Sequence, residues 1–116
     1  MRILIIEDSE TWRFLLLSGL VGHDVEVAED AAQAMQKIRH RNRFDLVISD
    51  YDLPGPADNE FILLLQKFGY LTVVLTGLDP KRVGDCGDAK VFYKSDVNEL
   101  FRFVQGMSSA VQTTGE

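Results

Sequence analysis

Three short runs of this chain have continuously apolar centres: RILII at 2–6, FDLVIS at 44–49 and LTVVLT at 71–76. A strand with one wet face alternates apolar and polar residues, whereas a strand covered on both faces has no such need. Runs of this length and kind therefore point to a parallel sheet with helices on both sides. Two weaker runs complete the set: DVEVA at 24–28, which alternates, and KVFYK at 90–94.

Helical spacing fills the gaps. In SETWRFLLLSGL, Trp12, Leu15, Leu16 and Gly19 form a core-facing stripe, and Ser9 is placed to cap. Asp30 is placed to cap a helix with the stripe Ala31, Ala34, Met35 and Ile38. NEFILLLQKF puts Phe61, Leu64, Leu65 and Phe68 on one side and stops at Gly69. VNELFRFVQGM carries Val97, Leu100, Phe101, Val104 and Met107, with Asp96 and Glu99 spaced as a capping box. Strands alternating with helices predict a doubly wound α/β fold with right-handed crossovers. The exception is GLDPKRVGDCGDA at 77–89, where Pro80, Gly84 and Gly87 oppose a regular helix. At most one helical turn, near 80–84, is expected there, followed by irregular, mobile chain.

Size and charge narrow the functional classes. A chain of 116 residues suits one domain, and its net charge of −6 argues against holding nucleic acid by phosphate neutralisation. No apolar run approaches the ~20 residues of a membrane span. The Ile3–Ile6 run is too short for a secretory signal and is followed by acids. Cys86 stands alone, which fits a reducing compartment, so a cytoplasmic location is expected. MSSAVQTTGE at 107–116 turns small and polar. It is expected to be a flexible tail or the start of a linker after a domain spanning 1–106.

In sheets of this kind ligands bind outside the carboxyl ends of the strands. The first strand ends in Glu7 and Asp8, the third in Asp50 with Asp52 close behind, the fourth in Thr76, and the last in Lys94. Taken singly each is ordinary: a solvated strand end, a turn acid, a turn hydroxyl, an exposed lysine. Together, three carboxylates at one edge repel one another, and a hard divalent cation such as Mg²⁺ relieves that repulsion. A cation, a lysine and a hydroxyl around one carboxylate are the parts needed to receive a phosphoryl group. Asp50 would be the nucleophile, Lys94 would offset charge and Thr76 would hydrogen-bond a phosphoryl oxygen.

The fragments ILIIEDSE, GHDVEVAEDAAQAM, FDLVISDYDLPGPADNEF, VVLTG and VFYKS, in that order, resemble the receiver domain of two-component response regulators over residues 2–106. The resemblance implies a flavodoxin-like (βα)5 fold with five parallel strands, here with a shortened or degenerate fourth helix. It also implies phosphorylation of Asp50 by a histidine kinase or histidine phosphotransfer protein, and a signalling role rather than an enzyme's. It implies Mg²⁺ held by Asp8, Asp50 and the backbone carbonyl of Asp52, with Glu7 acting through water. It further implies phosphoryl contacts from Thr76 and Lys94, and an output domain in a longer parent chain. The chain departs from the family at Ser95, where proline usually follows the lysine, and at Val91, where an aromatic switch residue is frequent.

Two rival readings exist. A pseudo-receiver would use the same fold as a docking module without phosphorylation. A haloacid-dehalogenase-like phosphatase would share the Asp-x-Asp motif, but that family takes acidic ligands from a strand after the lysine, where this chain has only a helix. Off the core-facing stripe of the first helix, Phe14 and Leu17 are candidates for docking the partner.

Overall fold

A computed structural model describes residues 1–40, 43–51, 58–78 and 83–114. Five strands, β1 (Arg2–Ile6), β2 (Asp24–Ala28), β3 (Leu46–Asp50), β4 (Thr72–Thr76) and β5 (Lys90–Tyr93), form one sheet. All four pairings are parallel, in the order β2-β1-β3-β4-β5. The helices are α1 (Glu10–Gly19), α2 (Ala31–Arg39), α3 (Asp58–Lys67) and α4 (Val97–Thr114). This is the doubly wound parallel architecture expected from the strand runs, in the flavodoxin-like form that the resemblance implies.

The uninterrupted strands are buried on both faces, and their alternation sorts side chains between two cores. From β1, Ile3 and Ile5 join Leu16 and Leu20 of the α1 segment and Leu100 and Val104 of α4. Leu4 and Ile6 join Ala31 and Ala34 of α2 and Phe61 and Leu65 of α3 on the other side. Helix starts follow local chemistry. Ser9 Oγ accepts the Trp12 N–H at 3.3 Å, and Asp30 Oδ1 accepts the Gln33 N–H at 2.8 Å. Past the end of α3, Gly69 takes a φ of +87°, which other residues adopt only with strain.

Several expectations need correction. On α1, Leu15 is exposed, and Leu20 rather than Leu15 joins Leu16 in the core. On α3, Leu64 and Phe68 are exposed, and the buried stripe is Phe61, Ile62 and Leu65. Both helices are apolar over more than one face, so periodicity allows two stripes and packing chooses between them. The capping box at Asp96 and Glu99 does not form: Lys94–Asp96 is a 3-10 turn leading into α4, and Glu99 pairs with Arg102. The backbone of α4 continues to Thr114.

Between β4 and β5, residues 77–78 and 83–89 are not helical; part of the turn expected at 80–84 lies outside the described residues. The later part of this segment is anchored rather than loose. Cys86 is buried with Tyr51, Ile62 and Val74, and Val83, Ala89 and Val91 pack on the same cluster. The segment thus covers the sheet where a helix would otherwise lie.

Candidate phosphoryl-acceptor site

Parallel pairing brings the carboxyl ends of β1, β3, β4 and β5 to one edge. Ile6 is in register with Ser49, Asp50 with Leu75, and Thr76 with Tyr93, so Glu7, Asp50, Thr76 and Lys94 all fall at that edge. Carboxylate oxygens of Glu7, Asp8 and Asp50 lie within 4.8 Å of one another. Glu7 and Asp50 are buried and Asp8 is exposed. Lys94 Nζ reaches Glu7 Oε1 at 3.4 Å and Asp50 Oδ2 at 3.6 Å.

The cluster is electrostatically incomplete. Three carboxylates meet one ammonium among the described residues, with the Arg13 guanidinium on the Glu7 backbone carbonyl at 3.1 Å, so negative charge is in excess if all ionise. Glu7 shows the consequence. Burial, then a hydrogen bond to Asp50, then the Asp50 charge raise its pKa from the usual 4.5 to about 7, against the opposing pull of Lys94 and the Ser9 N–H. Glu7 Oε2 is buried without a hydrogen-bond partner, while Oε1 accepts the Ser9 N–H at 3.2 Å. A buried orphan oxygen beside two more carboxylates is a donor set suited to a hard cation with retained water, so these residues fit Mg²⁺.

Thr76 is fully buried at the end of β4, and its hydroxyl oxygen accepts the Leu78 N–H at 3.0 Å. Asp52 lies outside the described residues. The peptide after Lys94 is trans, as no cis bond occurs among the described residues. Ser95 therefore does not keep Lys94 out of reach of Asp50. Phe14 and Leu17 are exposed on α1, Phe14 at 74%.

The acids come from the end of β1, upstream, and α4 follows Lys94. That is the reverse of the haloacid-dehalogenase arrangement. Two residues at this edge escaped sequence reasoning. Trp12 packs on the core as expected, and its ring also lies under Lys94 Nζ, 4.9 Å from centroid to nitrogen. Tyr51, next to Asp50, accepts the Gly84 N–H on its hydroxyl at 2.8 Å. A tryptophan one turn after the acid pair was the only signal available for the first; nothing local pointed to the second.

No family profile matches the chain. It is 26% identical over 93 residues to the two-component response regulator ORR8 of Oryza sativa, covering 74% of this chain and 77% of that protein. It is 34% identical over 77 residues to the response regulator protein FleR of Pseudomonas aeruginosa, covering 64% of this chain but 16% of that protein. Its fold is similar to the crystal structure of the response regulator TrrA of Thermotoga maritima in complex with Mg²⁺-BeF. That match has a TM-score of 0.76 and 27% identity, and covers 90% of this chain and 96% of the other. With the parallel sheet, the acid cluster and the lysine at one edge, the chain is similar in sequence and fold to response-regulator receiver domains.

Proposed function

We propose that the chain accepts a phosphoryl group on Asp50 from a phosphohistidine donor, a histidine kinase or histidine phosphotransfer protein, and changes conformation in response. The observation that carries this reading is the buried Asp50 carboxylate, clustered with Glu7 and Asp8 and 3.6 Å from Lys94. An Asp50 oxygen attacks phosphorus, the P–N bond breaks as the P–O bond forms, and the imidazole leaves with a proton. Lys94, already between Glu7 and Asp50, turns its charge toward the new phosphoryl oxygens. Thr76 keeps its hydroxyl hydrogen for donation, since its oxygen accepts from Leu78. Asp8 and Asp50 would hold Mg²⁺ directly, with Glu7 through water and the Asp52 carbonyl as a further ligand. The ion, when bound, offsets charge on the phosphoryl oxygens.

In this reading the chain is a signalling acceptor that turns over only its own phosphoryl group, and it works in the cytoplasm. No helix among the described residues is long and apolar enough to cross a membrane. Beryllofluoride, a phosphoryl mimic, tests the site. It should bind the wild-type chain only with Mg²⁺, and Asp50→Ala should abolish binding by calorimetry. Tight binding by that variant would falsify the assignment of Asp50. Absence of binding by the wild-type chain would instead favour a phosphorylation-independent docking module.

A further inference from the structure

Lys94 is the cation that reaches the carboxylates of the cluster, while Arg13 reaches only the Glu7 backbone carbonyl, at 3.1 Å, and the carboxylates alone hold Lys94 loosely. Its contacts at 3.4 Å and 3.6 Å are long beside the ~2.7–2.9 Å of a charge-assisted hydrogen bond. Lys94 opens the 3-10 turn that leads into α4, which fixes its backbone but not the four-carbon stem beyond it. A lysine ammonium on a flexible four-carbon stem has many rotamers to lose. The third contact comes from the other side: the Trp12 ring, 4.9 Å from Nζ. An indole face attracts a cation through its quadrupole, and tryptophan does so best among the aromatic side chains. Trp12 is itself fixed. Its N–H is bonded to the Ser9 cap in the first turn of α1, and its side chain packs on the core shared by α1 and α4.

We propose that Trp12 is a positioning residue for Lys94, holding the ammonium at the place where phosphoryl oxygens arrive on Asp50. The role rests on the reading of Asp50 as the acceptor. Trp12 acts through Lys94 alone: it supplies no ligand to the cation and no bond to the phosphoryl group. A partly buried cation–π contact corresponds to a factor of roughly two to five in an equilibrium constant.

The contact can be read without any variant. Ring current from Trp12 should shift the Lys94 ε-methylene proton resonances upfield in the wild-type chain. Trp12→Phe keeps an aromatic face and should retain part of that shift. Trp12→Met, which fills the space without such a face, should abolish it. With Mg²⁺ and beryllofluoride as probe, Trp12→Met should weaken binding roughly three- to fivefold, and Trp12→Phe should recover most of the loss. In a Lys94→Met background, Trp12→Met should add nothing. An unshifted Lys94 methylene, wild-type affinity in Trp12→Met, or an equal loss in the Lys94→Met background would each overturn the role. The last would make Trp12 a packing residue only. No beryllofluoride binding by the wild-type chain, with the ring-current shift intact, would overturn the acceptor reading and the role with it. Affinity insensitive to Trp12 would overturn the role alone.

Discussion

Glu7 carries a pH dependence that can be measured. Its pKa is raised from 4.5 to about 7 because the folded chain buries it against Asp50. The folded state therefore binds more protons than the unfolded state across that window, and stability falls as pH rises through it. Below about 4.5 the contribution is fully present; above about 7 it is lost. Urea unfolding in a chelator should show this decline between the two values. Glu7→Gln should remove most of it, and Mg²⁺ should counter it by replacing the proton with a cation. A flat profile in the chelated wild-type chain would contradict the placement of Glu7. Gly19 makes a second case at this scale. A Cβ there would lie 2.2–2.5 Å from Phe101 ring atoms, so the ring from α4 fills the space over Gly19 and would have to shift. Gly19→Ala gains ~1 kcal/mol of helix propensity but costs ~1–3 kcal/mol in overpacking. We expect net destabilisation, read from the urea midpoint; a stabilised variant would show that the ring moves freely.

Among the elements, the chain between β4 and β5 differs most from the sequence expectation. It was expected to be mobile, but its described part is tied to α3 and to the end of β3. Gln66 donates to the Cys86 carbonyl at 2.7 Å and accepts the Asp88 N–H at 2.9 Å, while Tyr51 accepts the Gly84 N–H. Gly87, at φ +61°, lets the turn pass close to Gln66 and Leu63. Tyr51 adjoins Asp50, so one hydroxyl links the proposed acceptor to this segment. Amide exchange should find the Gly84 and Asp88 N–H groups protected. Gln66→Ala should lose the protection at Asp88 and about 1–2 kcal/mol of stability. Tyr51→Phe should lose it at Gly84 while Asp88 stays protected. Loss at both sites from either change would mean that the segment opens as one unit.

At the scale of the whole molecule, the chemistry occupies the carboxyl edge of the sheet, and α1 leaves that edge with an apolar outer face. Phe14, Leu17 and Val21 recur at helical spacing and are exposed, at 74%, 40% and 82%. Under the proposed function, a phosphohistidine donor would dock near the start of this helix to reach Asp50. Phe14→Ala should slow transfer from a cognate phosphohistidine protein several-fold, by loss of roughly 1 kcal/mol of contact, while acetyl phosphate labels the chain as before. Equal loss with both donors would mean a folding defect and end the docking role.

The sequence by itself determined the parts that depend on local pattern. Uninterrupted apolar runs specify strands covered on both faces. Ser9 and Asp30 mark helix starts, and acids and a lysine at strand ends share one edge once the sheet is parallel. Tertiary structure decided what local pattern leaves degenerate. α1 and α3 each carry more apolar residues than one face can bury, and only their neighbours select Leu16 and Leu20 over Leu15, or Ile62 over Leu64 and Phe68. Side-chain partners far apart in the chain were equally hidden. Lys94 meets Trp12, and Tyr51 meets Gly84, because closing the sheet sets their distance, which sequence spacing does not encode.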